Sequence, residues 1–369
     1  MNNLEQARSN INRIDREMAA LFEERFKCSH VIADFKMQNG LSVKDEKREQ
    51  ELIAKNSEYI SDAKIGDYYV QFMKKVIDLS CDYQTYLMKG LKVAYSGVEG
   101  CFAHIAARRM FPKSTFCAYP DFKSAYQSVE KGECDVAVLP FENSYAGEVG
   151  TVLDLIYSGS LYINQVLNFE VEQTLMGCEN ASVDSVKTVV SHPQALEQCA
   201  EYISLHGYEQ VTYSNTAAAA KMVKEKNDPS FAAITSKEAA EIYGLKILET
   251  KINTSNSNTT RFGAFTKVQR KMSASKKGQE VDDRFMLMFA VKNEPNAVSK
   301  AISIIGQNGY NMISLKSRPL KENMWDYYFY VECEGDISSE KGGAMLKQME
   351  EVCGKIKLAG TYLGPNQFN

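Results

Sequence analysis

Apolar residues fall at Leu4, Ala7, Ile11, Ile14, Met18 and Leu21, a 4-3-4-3 spacing that predicts one long helix with a heptad seam. Its two rows continue through Arg25, Cys28, Ile32 and Phe35, so the helix is expected to reach about residue 38. At 1.5 Å per residue that is about 50 Å, too long for a lone helix in a small domain. It is expected to pair with the same helix of a second chain. A second helix follows Asn39-Gly40. A third is predicted over 62–89, with Tyr69, Met73, Val76, Ser80, Tyr83 and Leu87 on one stripe. Residues 1–90 contain no proline and read as all-helical.

From residue 91 the texture changes. A short strand at 92–95 runs into a glycine loop, Ser96-Gly-Val-Glu-Gly100, and then a helix. A helix over 124–131, closed by Gly132, precedes a buried strand at 135–139. Further strands are predicted at 186–191 and 231–234, with helices at 194–205 and 216–226. Alternating strands and helices imply an open α/β sheet with ligands at the carboxyl ends of strands. Residues 271–280 (KMSASKKGQE) read as a polar linker. Beyond them the predicted order is strand 285–291, helix 296–307, strands 312–318 and 325–333, helix 338–350 and strand 355–362. This is βαββαβ, a ferredoxin-like arrangement.

Composition narrows the function. The 369 residues carry 43 Lys and Arg against 47 Asp and Glu, a formal charge of −4. With no basic tail, nucleic-acid and anionic-membrane roles have little support. No apolar stretch approaches the length of a membrane span, and the charged N-terminus is unlike a signal peptide. Nine scattered cysteines without a Cys-x-x-Cys pair suggest free thiols in a reducing cytoplasm. The four histidines form no ligand pair with a cysteine, and there is no nucleotide-binding glycine motif. Chemistry without metal or cofactor is expected.

Arg25 occupies the seam row Leu4, Ile11, Met18, Arg25, Ile32, where a charge is costly unless an anion meets it. A register-setting ion pair is one reading. Lys36 lies eleven residues on, a net rotation of about 20°, so both cations share one face. Two aligned cations point to a dianionic ligand. Arg8 sits about 100° around from Arg25 and could reach such a pocket only from a partner chain. Asp45, Arg48 and Glu49 share a face at i, i+3, i+4, either a solvated salt-bridge face or part of the same site. Ser80 and Gln84 lie one turn apart on the third helix.

These residues resemble the all-helical class of chorismate mutase. The resemblance implies that Arg8 of a partner chain, with Arg25, Lys36 and Arg48, holds the substrate. Asp45 and Glu49 would bind near the ring hydroxyl, with Ser80 nearby, while Lys36 and Gln84 donate to the ether oxygen. A Claisen rearrangement needs no nucleophile and no acid–base step; the enzyme holds the folded conformer and stabilises charge on the breaking ether oxygen.

The middle region resembles prephenate dehydratase through Gly97-Val-Glu-Gly100 with His104, Pro140-Phe-Glu-Asn-Ser144 with Gly147, Ser191-His-Pro-Gln194 with Gln198, and Thr260-Arg-Phe262. Each motif alone is compatible with an ordinary turn, cap or strand exit. The resemblance implies two α/β lobes like a periplasmic binding protein, with the site in the cleft. Thr260 would donate to the leaving hydroxyl and Arg261 would clamp a carboxylate in bidentate fashion. Glu142, Asn143, Ser144, Ser191 and Gln198 would orient the substrate, beside Phe262. Val98, Cys101, Ala103 and Gln173 depart from the usual pattern.

The tail resembles an ACT domain, which pairs side by side and binds amino acids at the interface, with L-phenylalanine the usual effector in this family. The matching pieces are Asn296, Ala297 and Val298 at the first helix, and Ser317 and Arg318 on the second strand. Asn296, Val298 and Lys316 depart from the family's glycine, leucine and glutamate. Reversing the charge at Lys316 should repel an α-ammonium group.

The expected organisation is an all-α dimerisation domain (1–90), a two-lobed α/β domain (91–270), a linker (271–280) and a βαββαβ ACT domain (281–369). The resemblance implies a cytoplasmic homodimer or higher homo-oligomer that converts chorismate through prephenate to phenylpyruvate for phenylalanine biosynthesis. Two alternatives stand beside it. In one, only the mutase works and the α/β and ACT regions are small-molecule-binding modules. In the other, the whole chain regulates a different enzyme.

Overall fold

The computed structural model describes residues 3–254, 258–269, 282–320 and 327–364. The chain forms two compact units, Met1–Leu91 and Lys92–Asn369. The run at 271–280 lies outside the described residues.

The first unit is three helices: α1 (Asn3–Gln38), α2 (Glu46–Ser57) and α3 (Ala63–Lys89). Asp45 caps α2 by accepting from the Arg48 N–H, Asp62 caps α3 in the same way from Lys64, and Gly90 closes α3 with a left-handed φ. The part of α1 that packs is its C-terminal half, where Ser29 and Ala33 are buried against α3 with Met73, Val76 and Ile77. Residues 3–24 are exposed on every face. Within one chain the seam residues Leu4, Ile11 and Leu21 therefore stay 54%, 56% and 64% exposed.

The second unit begins with β1 (Lys92–Ser96), α4 (Phe102–Met110), β2 (Thr115–Tyr119), α5 (Phe122–Lys131), β3 (Val136–Asn143), β4 (Gly147–Glu148), α6 (Gly150–Ser158) and β5 (Tyr162–Glu170). The chain then builds β6 (Thr174–Gly177), β7 (Thr188–Ser191), α7 (Pro193–Gln198), α8 (Ala200–His206), β8 (Glu209–Thr212), α9 (Thr216–Lys226), β9 (Phe231–Thr235), α10 (Lys237–Tyr243) and β10 (Lys246–Glu249). It returns through β11 (Thr259–Thr266) and ends with β12 (Asp283–Ala290), α11 (Ala297–Gln307), β13 (Asn311–Pro319), β14 (Tyr327–Glu334), α12 (Glu340–Val352) and β15 (Lys355–Leu363). The helix predicted over 194–205 is broken at Cys199, which leaves helical geometry at φ −114°, ψ 15°.

Two sheets organise this unit. One, of five strands, runs β10-β6-β9-β7-β8; the other, of ten, runs β13-β14-β12-β15-β5-β11-β3-β1-β2 with β4 added to β3. The last four elements of sheet thus continue the first lobe's sheet, and they join it where Gly360 of β15 pairs with Ile163 of β5. A Cβ at Gly360 would lie 2.1 Å from the Ile163 carbonyl oxygen, so the close approach of the two strands requires glycine. One apolar core spans the join: Leu153, Ile156, Ile163 and Phe265 pack with Met286, Met288, Tyr328 and Tyr362. Among the described residues no helix is long and apolar enough to cross a membrane.

Candidate active sites

In the helical unit a cavity of about 350 Å³ opens between the C-terminal half of α1, the start of α2 and the end of α3. Its lining includes Arg25, Lys36, Asp45, Arg48, Glu49, Ser80 and Gln84. Seven of the eight residues expected from the sequence are therefore brought together. Arg8 is not among them; it is exposed on α1, about 25 Å along the helix from Arg25.

The polar groups are mutually fixed. Arg25 donates to the Ser80 hydroxyl, and Ser80 in turn donates to the Val76 carbonyl at 3.1 Å. Lys36 Nζ donates to the Val43 carbonyl and, at 3.1 Å, to Gln84 Oε1. Because Oε1 accepts from Lys36, Gln84 presents Nε2 as a donor. Burial lowers the Arg25 pKa from the free guanidinium value, with Cys81 and Cys28 acting in the opposite sense, and an arginine remains charged. The Cys81 thiol donates to Glu49 Oε1 at 3.7 Å; burial first and Glu49 second push that thiol up. The cavity can hold a compact dianion against two fixed cations and one amide donor.

In the second unit a cleft of about 440 Å³ is lined from both sheets, by Asn143, Thr260 and Phe262 on one side and Gln173, His192 and Gln198 on the other. Strand pairing explains the first group. Thr260 lies opposite Asn143, Arg261 opposite Glu142 and Phe262 opposite Pro140, with a bulge between Arg261 and Phe262. Residues paired across an antiparallel ladder point to the same face. Asn258, Thr260 and Phe262 thus face the cleft, with Asn143 and Pro140 beside them. Bulges commonly re-aim side chains beside active sites.

Asn143 is locked in orientation. Its Oδ1 accepts from the Tyr145 and Ala146 N–H groups at 3.0 and 2.8 Å, so Nδ2 is the donor on the other side. Nδ2 donates to Thr260 Oγ1 at 2.8 Å and to Asn258 Oδ1 at 2.9 Å. A Thr260 hydroxyl that accepts from Asn143 keeps its own proton for another acceptor.

Four expected residues lie elsewhere. Arg261 and Glu142 point to the opposite face of the sheet, as alternation along a strand requires. The Arg261 guanidinium is bidentate, but to Glu332 at 2.8 and 2.7 Å, and it also binds Glu142 at 2.9 Å. Ser191 is fully buried and spends its hydroxyl on the Ile234 carbonyl at 2.5 Å. Ser144 lies outside the cleft and accepts from the Thr259 N–H at 2.9 Å.

Three cleft residues carried no assigned role in the sequence. Gln173 donates through Nε2 to Gln198 Oε1 at 3.1 Å, and its buried Oε1 has no partner among the described residues. Asn258 Nδ2 is likewise buried and without a partner. His192 caps α7 by accepting at Nδ1 from the Gln194 N–H at 3.3 Å, which puts the proton of a neutral ring on Nε2. Two-residue alternation from Thr260 would have found Asn258; His192 stood within the Ser191-His-Pro-Gln194 motif and Gln173 among the departures from the family pattern, without a role for either.

At the C-terminal pieces, Asn296 precedes α11 with φ +67°, the left-handed backbone that suits a glycine, and Ala297 and Val298 open the helix. Ser317 and Arg318 lie on β13, where Arg318 Nε reaches Asp154 at 3.5 Å and the Tyr328 hydroxyl at 3.1 Å. Lys316 does not present a free charge there. Its Nζ binds Glu142 at 2.5 Å and lies 3.4 Å from Glu148.

Two family models match the chain. Residues 7–85 match the chorismate mutase type II family and residues 93–270 the prephenate dehydratase family. The bifunctional chorismate mutase/prephenate dehydratase of Aquifex aeolicus is 30% identical over 98% of this chain and 98% of its own length. The chain belongs to the bifunctional chorismate mutase/prephenate dehydratase family. That of Buchnera aphidicola subsp. Acyrthosiphon pisum is 28% identical over 96% of this chain and 95% of its own. The crystal structure of prephenate dehydratase from Arthrobacter aurescens, solved with L-Phe, shares the fold at a TM-score of 0.66; it is 22% identical and covers 75% of this chain and 91% of that one. As a member of this family the protein is a bifunctional enzyme of phenylalanine biosynthesis. It rearranges chorismate to prephenate and converts prephenate, by decarboxylation and dehydration, to phenylpyruvate.

Proposed function

We propose that the rearrangement takes place in the helical cavity and the dehydration in the cleft of the second unit. The division of labour follows residues 1–90 for the mutase, 91–270 for a two-lobed dehydratase like a periplasmic binding protein, 271–280 for a linker and 281–369 for an ACT domain.

In the cavity Arg25 and Arg48 hold the substrate carboxylates, Asp45 and Glu49 bind on the ring-hydroxyl side, and Ser80 orients Arg25. Lys36 and Gln84 Nε2 stabilise negative charge on the ether oxygen as its bond to the ring lengthens. Arg8 completes the site from a second copy. The support for this is the length of α1 that one chain leaves exposed, with its seam uncovered. The protein is therefore proposed to act as a homodimer or higher homo-oligomer, in the cytoplasm.

In the cleft prephenate loses carbon dioxide while the ring hydroxyl departs. The electron pair of the breaking carbon–carbon bond completes the aromatic ring, and the hydroxide leaves as water with one proton. Thr260 supplies that proton from its hydroxyl, which is re-protonated from solvent, and Asn143 fixes the hydroxyl's orientation. The observation that carries this reading is the Asn143–Thr260 hydrogen bond inside the cleft. Gln198 and Asn258 supply neutral donors, Gln173 an acceptor, and Phe262 packs on the ring. A threonine is a weak acid, so positioning and the gain of aromaticity account for most of the rate.

The test is to give purified protein chorismate near pH 7.5 and follow products by mass. Wild type is expected to yield phenylpyruvate, and Lys36→Ala to lose at least about a hundredfold in mutase turnover. Thr260→Ala should accumulate prephenate, whereas prephenate accumulating with wild type would leave the second unit as a binding module.

The C-terminal domain is proposed to bind L-phenylalanine between two copies, near Asn296, Ala297, Val298, Ser317 and Arg318. The left-handed backbone at Asn296 and the L-Phe complex of the Arthrobacter enzyme support it. Titration calorimetry showing micromolar binding is the expected result; no heat at millimolar L-phenylalanine would remove the reading.

A further inference from the structure

Among the described residues, those that line the cleft proposed to receive a dicarboxylate include no lysine or arginine, but they do include a glutamate, Glu148. Across the β3–β4 ladder Glu148 lies directly opposite Glu142. Like charges directly opposite on a ladder destabilise it. The same short hairpin carries Asn143, which aims Thr260. The Glu142 and Glu148 side chains share the ladder face turned away from Thr260, where both reach Lys316. An uncompensated pair would therefore loosen the hairpin directly and act on prephenate through the thickness of the sheet.

The compensating charge comes from the other end of the chain. Lys316 of β13 binds Glu142 Oε1 at 2.5 Å and reaches Glu148 Oε1 at 3.4 Å. Arg261 cannot replace it, because its guanidinium is already divided between Glu332 and the other oxygen of Glu142. Glu332 is 1% exposed and bonded to the Tyr362 hydroxyl, so this part of the network is fixed in the core. The Lys316, Glu142 and Glu148 side chains are about one-third exposed or less, so solvent screens them only partly.

We propose that Lys316 is a positioning residue for the dehydratase: from the C-terminal domain it clamps the β3–β4 hairpin and cancels the charge that Glu142 and Glu148 would otherwise exert, through the sheet, on a dicarboxylate in the cleft. It touches no substrate. Its effect falls on prephenate binding more than on turnover, and any movement of β13 is felt in the cleft as a change of affinity.

The inference rests on the cleft being the prephenate site, and the experiment separates the two. Conversion of prephenate by wild type and its loss in Thr260→Ala test the site. The clamp is tested by comparing KM and kcat for prephenate in wild type, Lys316→Met, Lys316→Arg and Lys316→Met/Glu148→Gln. Lys316→Met should raise KM about tenfold, equivalent to about 1.4 kcal/mol of binding, with a smaller change in kcat. Adding salt should narrow that difference. Lys316→Arg should stay close to wild type, and the double variant should recover most of the lost affinity. Mutase kinetics should be the same in all four. A KM for Lys316→Met within twofold of wild type overturns the proposal, as does a raised KM that Glu148→Gln leaves in place. Should Lys316→Met alone fail to fold, the double variant decides: regained folding and prephenate turnover support the clamp, and continued misfolding overturns it.

Discussion

Burial pushes the Glu142 carboxyl up, and the bonds from Lys316 and Arg261 outweigh it, leaving the group below the 4.5 of a free glutamate. Burial lowers Lys316, and Glu142 followed by Glu148 outweighs that, leaving the ammonium above 10.5. A carboxyl depressed in the fold contributes stability above 4.5 that is lost as pH falls through its lower folded value; an ammonium raised in the fold contributes stability below 10.5 that is lost as pH rises through its higher one. Glu142 also faces Arg261 on β11 and Glu148 on β4, with Tyr330 of β14 beside them. The thermal midpoint of wild type should fall further between pH 6 and pH 3 than that of Lys316→Met, as the gap closes. Parallel curves would mean that the pair adds nothing to stability. At this scale the sequence was legible where residue type sufficed, as in the cationic helix face. It misled where parity mattered, because Thr260, Arg261 and Phe262 are contiguous in the chain but alternate in space. Ser191 looked like a ligand only because a hydroxyl's partner, here the Ile234 carbonyl, cannot be read from spacing.

Among the elements α1 is the most legible, since a heptad spacing survives any change of context, and it ends at Gln38. β8 was missed because its four residues are exposed and carry no apolar alternation. The exposed half of α1 is the element with most to gain from a partner. Burying a Leu, Ile or Met side chain contributes about 1.5–3 kcal/mol, so a few seam residues offset the entropy of pairing. If Arg8 serves the partner's cavity, inactive variants should complement each other. Arg8→Ala and Lys36→Ala, each nearly inactive alone, should on random re-pairing as dimers give about a quarter of wild-type mutase activity, since half the dimers are mixed and each mixed dimer has one complete site. Mixing that restores nothing would place Arg8 outside the site.

At the scale of the whole molecule the sequence suggests a break at 271–280, where composition turns polar, but the elements on either side of it share a core. Tyr157 of α6 stacks on Tyr328 of β14 with ring centroids 4.4 Å apart, and Arg318 of β13 reaches Asp154 of α6. Such long-range packing leaves no trace in local composition. The shared core is then enough to hold the two parts together. Produced in one cell as separate polypeptides, residues 1–269 and 282–369 should find each other, purify together and turn over prephenate, while the longer piece alone should precipitate with Leu153, Ile156 and Ile163 uncovered. The enzyme would in this sense behave as a two-piece assembly whose pieces happen to be translated as one.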